Sequence, residues 1–295
     1  MYDSFGISTV CPSIAIEGLS VKKVFGNLFC CLGLGLGMLM IAAPAAQAAK
    51  CGNTSAGFSK WVVEAKKEAA AKGFNQRTIN ATLGSVSYRK NTIRLDRNQK
   101  SFRLSLDQFM RKRGANAIVA KGRKLKQRNR QLLASIENRY GVPPGVILAI
   151  WGMETGFGGF LGNEDTISAL ATLAYDCRRS AFFTNELYAA MTIIQQGQMS
   201  RKQMRGAAHG ELGQTQFLPS SYVRFAVDAD RDGRKNLISS RADALASTAN
   251  FLRGHGWKKG AGYQKGQTNY RAIQGWNSAG VYQQAIAIIA LKIDQ

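Results

Sequence analysis

The chain has 295 residues, of which 40 are Lys or Arg and 18 are Asp or Glu, so its formal net charge is +22. A hydrophobic fraction of 45% excludes a disordered polyelectrolyte, and the length is enough for one or two domains with a buried core. Five cysteines without a CxxC pair and only two histidines exclude a zinc ribbon and a multi-histidine metal centre.

The first 48 residues are predicted to be a leader. Lys22 and Lys23 precede an apolar run over residues 24–41, and a small-x-small sequence follows at residues 46–48. This order is typical of a secretory signal peptide, and we expect the mature protein to be exported. An uncleaved membrane anchor is the alternative, because the apolar run is about as long as a short membrane span.

Loss of the leader would leave two cysteines, Cys51 and Cys177. Disulfides form and persist in the oxidising compartments that receive exported proteins. The sequence therefore predicts one disulfide that ties the mature N-terminus to the middle of the chain. Two unpaired buried thiols are the alternative.

Basic residues are concentrated between residues 111 and 130, where nine occur and no acidic residue interrupts them. In a cytosolic protein this pattern indicates a nucleic-acid surface. Export argues against that partner, so we expect no nucleic acid. Attraction to an anionic cell envelope and a simply solvated helix face remain two open interpretations.

The N-terminal half of the mature chain is predicted to be helical. Apolar residues recur at helical spacing over 58–69, and Gly73 ends this first helical pattern. They recur again over 102–110. The apolar positions over 118–136 predict one or two basic amphipathic helices. We found no alternating strand pattern, and the predicted class is all-α, mainly helical. Residues 49–135 form the predicted N-terminal helical region.

A change of composition near residue 140 marks the start of the predicted core, residues 136–295. A proline-containing breaker at 140–144 precedes an almost wholly apolar stretch, 145–153, which predicts a buried helix. Further helices are predicted at 167–174 with Asp165 as a cap, at 187–194, from Pro219 to Phe225, at 242–249 and at 282–293. The glycine-rich stretch 206–216 is predicted to be irregular.

A carboxylate, Glu154, ends the buried helix and precedes a glycine-rich segment, 155–159. Apolar surroundings and the partial negative charge of a helix C-terminus both disfavour the charged form of this group. The glycines allow a ligand to approach closely. These features favour a protonated carboxyl that acts as a general acid, and a solvated glutamate is the structural alternative.

Five ordered segments of the chain resemble the B-type lytic murein transglycosylases. They are YGVPP (140–144) leading into WGMETGFG (151–158), ALATLAY (169–175), GQTQFLPSSY (213–222), AVDADRDG (226–233) and DALASTANF (243–251). The leader predicts export to the periplasm. The resemblance implies a lysozyme-like core and lyase activity on peptidoglycan glycan strands. It also implies a monomer that needs no cofactor for its chemistry, with cell-wall synthesis or remodelling proteins as further candidate partners.

The resemblance places Glu154 at the position of the family's single catalytic carboxylate. It implies that Glu154 protonates the oxygen between N-acetylmuramic acid and N-acetylglucosamine. Glu154 then removes the proton of the muramic C6 hydroxyl, which closes onto C1 to give a 1,6-anhydromuramoyl end. The substrate supplies the nucleophile, so proximity replaces the second carboxylate of ordinary glycosidases.

Further residues are assigned to the substrate by the same resemblance. Gln216, Asn277 and Tyr282 match family residues that contact the sugar. Trp276 stands where a tyrosine is usual, and it either stacks on a sugar or fills the core. The residues expected beside the groove are Tyr222, with Ser220 and Ser221, and Glu211. Ala207 replaces a frequent serine near the cleft. We expect Glu211 to line the cleft without a catalytic role, with a position in solvent as the alternative.

An acidic loop fits much of a calcium-binding pattern. Asp228, Asp230, Asp232 and Asn236 match ligand positions, and Arg234 would contribute its backbone carbonyl. The glutamate expected at the twelfth position is replaced by a serine, and the resemblance offers Asp243 as the closing acidic residue. The predicted role of calcium is structural. A self-capped turn at 232–233 is the alternative.

Two other functions are compatible with the sequence. A hydrolytic muramidase would need a positioned water and a second carboxylate, for which Glu211 and Glu164 are the candidates. A non-catalytic wall-binding protein would use the groove and the basic face for adhesion. The acid at position 154 argues against the wall-binding protein. The product ends distinguish the muramidase from a transglycosylase, because hydrolysis gives reducing ends and transglycosylation gives anhydro ends.

Overall fold

The computed structural model describes residues 49–98 and 104–295. The predicted leader, residues 1–48, and Phe102 lie outside these ranges. The helices within the described ranges are α1 (Phe58–Ala71), α2 (Gln76–Leu83), α3 (Lys90–Arg97), α4 (Leu106–Lys112), α5 (Ala115–Arg128), α6 (Arg130–Tyr140), α7 (Pro144–Thr155), α8 (Thr166–Tyr175), α9 (Ser180–Gln195), α10 (Pro219–Phe225), α11 (Arg241–Gly254), α12 (Tyr270–Trp276) and α13 (Gly280–Asp294). Two short strands, β1 (Glu164–Asp165) and β2 (Arg205–Gly206), pair antiparallel.

Helix α7 lies at the centre of the molecule and packs against α13 and α5. Almost all of its residues are buried, because the segment has no polar side chain before Glu154. Pro144 begins the helix, and Gly156 ends it in the left-handed conformation with φ 60°. A Cβ atom on Gly145 would lie 2.4 Å from the Ala290 carbonyl, so glycine is required for the close approach of α13.

The C-terminal end of α13 is bound by basic residues of α5. Arg123 Nε donates to the Lys292 carbonyl at 2.9 Å, and Lys126 Nζ forms an ion pair with the Asp294 carboxylate at 2.8 Å. Cations stabilise the negative end of a helix dipole. Asp294 in turn accepts from the Gly145 backbone N–H at the start of α7. Part of the basic cluster therefore holds α5, α7 and α13 together.

The remaining helices surround this centre. α8 packs against α9, α10 lies across α9, and α11 contacts α6, α7, α10 and α12. Asp165 caps α8 by accepting from the Ser168 backbone N–H, as predicted. Near the N-terminus of the described chain, Cys51 and Cys177 are joined in a disulfide with a Cα–Cα distance of 5.0 Å.

The predicted helices α1, α4 to α11 and α13 are present, and the segment 118–136 forms two helices, α5 and α6. The prediction missed α2, α3, α12 and the two-stranded sheet. Two residues per strand are too few to show alternation. No helix in the described ranges is long and apolar enough to cross a membrane. The division into an N-terminal region and a core remains a prediction.

Candidate active site

Glu154 lies in the last turn of α7 and is partly exposed. Two donors converge on one of its carboxyl oxygens. The indole Nε1–H of Trp276 donates to Oε1 at 2.9 Å, and the hydroxyl of Tyr282 donates to the same atom at 2.5 Å. The ends of α7 and α12 and the start of α13 thus meet at this carboxyl.

The turn after Glu154 is held by Thr155. Its hydroxyl donates to the Gln214 carbonyl at 2.6 Å and accepts from the Gly158 backbone N–H at 2.8 Å. Phe157 adopts φ 66°, an uncommon conformation for a residue with a side chain, so this turn carries local strain. The glycine-rich sequence predicted a close approach here, and the turn brings the segment around Gln214 to the end of α7.

Tyr282 is buried and serves as a fixed donor. Burial, followed by the adjacent Glu154 charge, raises the pKa of Tyr282 well above its ordinary value. Arg113 lies over the Tyr282 ring at 5.9 Å and partly opposes this shift, and the Phe109 ring packs against Tyr282 edge-on at 6.0 Å. The hydroxyl is therefore protonated at neutral pH and can donate to Glu154.

Trp276 connects Glu154 to a cavity. Its ring packs edge-on against Phe217 and Phe251, with centroid distances of 5.5 and 4.9 Å, and it is 6% exposed. The same side chain lines the cavity. Further residues that line it are Arg179, Phe182, Phe183, His209, Glu211, Gln216, Leu218 and Ser221.

Gln216 lies at this cavity in the left-handed conformation, with φ 54°. Its side-chain nitrogen donates to the Gly213 and Leu161 carbonyls at 2.9 and 3.2 Å. The nitrogen is thus committed to the protein, and the carboxamide oxygen is the atom that a ligand donor would meet.

Asn277 follows Trp276 directly and is buried. Its Oδ1 accepts from the Ala279 backbone N–H at 2.9 Å, while its buried Nδ2 has no hydrogen-bond partner among the residues the structure describes. A buried donor without a partner is costly. The amide of Asn277 is therefore suited to an acceptor supplied by a ligand.

Glu211 is buried, lines the cavity and does not point to solvent. Its carboxylate accepts from the His209 backbone N–H at 3.2 Å, and the His209 ring lies 3.7 Å away. Burial lowers the pKa of His209, and the charges of Glu211 and Asp96 partly oppose that shift. Sequence reasoning did not single out His209, Asp96 or Arg179. The adjacent arginines Arg178 and Arg179, which follow Cys177, are the feature of the sequence that could have indicated a buried acidic partner.

Tyr222 is not among the residues that line this cavity, and its predicted contact with the substrate remains a prediction. Its side chain is buried, and its hydroxyl donates to the Lys235 carbonyl. Tyr222 lies on the side of α10 that faces the acidic loop. Its neighbour Ser221 lines the cavity. Ser220 caps nothing in its own helix and instead donates from its N–H and hydroxyl to the buried Glu186 at 2.9 and 2.7 Å.

The acidic loop gathers three of the six predicted calcium ligands. One oxygen from each of Asp228, Asp230 and Asp232 lies within 4.8 Å of the others. Backbone N–H groups of the loop donate to these carboxylates, including that of Gly233 to Asp228 at 2.9 Å. Such a set of carboxylate oxygens fits a hard cation.

The other predicted ligands make hydrogen bonds within and beside the loop, and their role as ligands remains a prediction. Asp243 is buried and does not join the acidic group. Its carboxylate accepts from the Ala229 and Asn236 backbone N–H groups, each at 2.7 Å. The side-chain oxygen of Asn236 accepts from the N–H of Ser239 at 3.0 Å. The predicted contribution of Arg234 to the calcium site is its backbone carbonyl and not its side chain.

Residues 57–266 match the family described as the transglycosylase SLT domain. The chain belongs to this family. The resemblance seen in the sequence motifs is thereby confirmed.

The relatives of this SLT-domain protein are lytic transglycosylases. Membrane-bound lytic murein transglycosylase B of Escherichia coli (strain K12) is 40% identical over 122 residues, which are 41% of this chain and 34% of that protein. The match thus spans about a third of the relative's length. A crystal structure of SltB3 from Pseudomonas aeruginosa in complex with NAG-NAM-pentapeptide is 27% identical, covers 80% of this chain and 79% of that one, and has a TM-score of 0.74.

A third structure extends the likeness of the fold. Escherichia coli lytic transglycosylase SLT35 in complex with calcium is 22% identical, with 84% of this chain and 96% of that one covered and a TM-score of 0.65. These likenesses confirm the predicted mainly helical, lysozyme-like class of the SLT-domain chain.

Proposed function

We propose that this chain is a lytic transglycosylase that cleaves peptidoglycan glycan strands between N-acetylmuramic acid and N-acetylglucosamine. The observation that carries the proposal is the partly exposed Glu154 carboxyl, held at one oxygen by Tyr282 and by Trp276, which lines a cavity. The family match and the peptidoglycan fragment bound by SltB3 support the substrate class.

The surroundings of Glu154 suit a group that gives up a proton and takes one back. The apolar α7 and its C-terminal partial charge favour the neutral carboxyl, whereas the two donors favour the carboxylate. In the first step Glu154 protonates the glycosidic oxygen as the bond to C1 breaks. In the second step the carboxylate takes the proton of the muramic C6 hydroxyl as its oxygen bonds to C1.

Two polar groups are suited to hold the sugar near Glu154, since Gln216 lines the cavity and Asn277 follows Trp276 directly in the chain. The carboxamide oxygen of Gln216 would accept from a hydroxyl or amide, and the unpaired Nδ2 of Asn277 would donate to a carbonyl or hydroxyl oxygen. Gln216 lines the same cavity as Trp276. The ring of Trp276 offers an apolar surface. Holding the C6 hydroxyl near C1 replaces the attacking water.

The hydrolytic alternative lacks a suitable second carboxylate among the two candidates. Glu211 is buried beside His209, and its oxygens already face the His209 N–H and ring. Glu164 lies on β1, paired with Gly206. Neither environment resembles a carboxylate poised to activate water.

We further propose that Asp228, Asp230 and Asp232 hold a structural calcium ion, as the calcium complex of the SLT35 relative suggests. When bound, the ion would neutralise the mutual repulsion of these carboxylates. The incomplete set of ligands indicates weak binding. The ion has no part in the reaction.

We also propose that the protein acts in the periplasm. The leader over residues 1–48 would direct the chain to the periplasm, where its substrate lies, with cleavage before the mature unit 49–295. The monomer would work alone on glycan strands or beside proteins of cell-wall synthesis and remodelling.

Replacing the carboxyl tests the proposal. Glu154→Gln should lower the release of soluble muropeptides from purified sacculi by at least ~10²–10⁴-fold, the usual contribution of a general acid, because the base step is lost as well. Sacculus binding and the melting temperature should stay unchanged. Glu164→Gln is the matched control and should keep wild-type activity. Normal release by Glu154→Gln, or loss of activity in Glu164→Gln, would contradict the proposal.

A further inference from the structure

Phe160 is the most exposed large apolar side chain in the described ranges, with 83% of its surface open to solvent. The other exposed ones are the smaller side chains Val63, Val223 and Leu291, which lie on helices and are at most 54% exposed. Single exposed aliphatic side chains are common on protein surfaces. An aromatic ring loses more free energy by facing water, so Phe160 is a candidate contact for a ligand.

Phe160 lies beside the turn that carries Glu154. Its backbone N–H donates to the Thr155 carbonyl at 3.0 Å. A Cβ atom on Gly156 would lie 3.5 Å from the Phe160 ring. Thr155 and Gly156 directly follow Glu154 in the chain. The exposed ring is therefore next to the end of α7 where the carboxyl lies.

The residue after Phe160 is connected to the cavity. The Leu161 carbonyl accepts from the side-chain nitrogen of Gln216 at 3.2 Å, and Gln216 lines the cavity together with Trp276. The segment around Phe160 thus runs from the turn after Glu154 to Gln216. A glycan strand that contacts both Glu154 and Gln216 would pass along this segment.

The turn beneath Phe160 is held from the opposite side by α5. Lys121 Nζ donates to the Gly156 carbonyl at 3.1 Å and lies 5.1 Å from the centre of the Phe157 ring. The Phe157 ring packs edge-on against Trp151 at 5.4 Å. A ring on a fixed support can bind a ligand without a large cost for ordering the protein.

We propose that Phe160 contacts the substrate, and that its ring stacks on a saccharide of the glycan strand next to Glu154. This inference rests on the proposed function. The apolar C–H groups of a sugar ring suit the negative face of an aromatic ring. The contact is the same before and during bond cleavage, so it strengthens binding of the strand and leaves the chemical step unchanged.

Steady-state kinetics with soluble glycan strands freed of their peptides tests this role. Phe160→Ala should raise KM by roughly threefold to tenfold, the range for one aromatic contact, with kcat unchanged. Phe160→Tyr keeps the ring and should keep the wild-type KM. Val63→Ala is the matched control, because Val63 is an exposed apolar side chain on α1, which packs against α2 and α8.

The division between KM and kcat separates stacking from a structural role. If Phe160 only supported the turn, its loss would displace Glu154 and lower kcat, because misplacement of a reacting group acts on the chemical step. A wild-type KM in Phe160→Ala, a loss confined to kcat, or an equal rise of KM in Val63→Ala would each overturn the inference.

Calorimetric titration with the same peptide-free strands measures binding without turnover. In the Glu154→Gln protein, the additional change Phe160→Ala should raise the dissociation constant by roughly threefold to tenfold. Equal affinities of the single and double variants would overturn the inference and leave the proposed function intact. A failure of the proposed function would appear elsewhere, as wild-type product ends without the anhydro ring.

Discussion

The hydroxyl of Tyr282 donates to Glu154 Oε1 over 2.5 Å, although the two residues are 128 positions apart in the chain. Family resemblance alone assigned Tyr282 to the substrate. Its burial and its contact with the carboxyl give it a role on the protein side of the site, next to the arginine and phenylalanine that enclose its ring.

Tyr282→Phe should therefore act on the rate more than on binding. The substitution keeps the ring against Phe109 and removes a hydrogen bond to a group that becomes charged, which is worth about 1.5–3 kcal/mol. We expect kcat to fall by roughly tenfold to a hundredfold, with sacculus binding retained. Steady-state kinetics with soluble glycan fragments provides the measurement.

Tyr222→Phe is the control for that experiment. Tyr222 is also a buried tyrosine that gives one hydrogen bond, but to the Lys235 carbonyl beside the acidic loop. It should lower the melting temperature and leave kcat unchanged. Equal losses of kcat in both variants would mean that the two hydroxyls act only through stability.

The Cys51–Cys177 disulfide should contribute to stability, because it closes a loop of 126 residues in the unfolded chain. Replacing both cysteines by serine is expected to cost about 2–5 kcal/mol in the free energy of unfolding. Denaturant titrations of the variant and of the oxidised wild type measure this difference. Alkylation before and after reduction provides the control, and two freely alkylated thiols in protein purified from the periplasm would refute the pairing.

Calcium at millimolar concentration should raise the melting temperature, and a chelator should reverse the change. A ligand bound only by the folded state stabilises it, by about 2.7 kcal/mol at a hundredfold excess over its dissociation constant. Magnesium should do much less, because it requires a tighter octahedral site. Asp232→Asn should weaken the response, whereas Asp107→Asn, an exposed aspartate on α4, should leave it intact. Superimposable melts with and without calcium would show that the loop is only a turn.

The free energy of unfolding should fall as the pH drops from 7 to about 5.5. Burial lowers the pKa of both His209 and His255 in the folded state, so the unfolded chain takes up protons first as pH falls through about 6.5. Each histidine contributes a slope of up to about 1.4 kcal/mol per pH unit. Burial raises the pKa of Glu186, which has the opposite sign, in a window nearer its ordinary value.

Urea titrations at several pH values measure this slope. His255→Phe keeps a ring against Phe251 and removes the titrating group, so its curve should be flatter than that of the wild type over the same range. An unchanged slope in this variant would assign the pH dependence to other groups.

Local sequence patterns predicted the helices that have a continuous apolar stretch or stripe. The elements and side-chain contacts that depend on residues far apart in the chain could not be predicted in this way. Helix α7 was predicted because residues 145–153 lack charge. Helix α3 was missed because its buried residues are Thr92 and Asp96, which give no apolar pattern, and Asp96 pairs with arginines on a distant segment. The partner of Trp276 could not be predicted either, since 122 residues separate it from Glu154.

In the proposed reaction Glu154 acts alone, and the substrate's own hydroxyl replaces water. Digestion of purified sacculi by the wild-type protein in water enriched in heavy oxygen tests it directly, with mass spectrometry of the released muropeptides. We predict 1,6-anhydromuramoyl ends that carry no heavy oxygen. Reducing muramic acid ends that contain the heavy isotope would contradict the claim and identify the enzyme as a hydrolase.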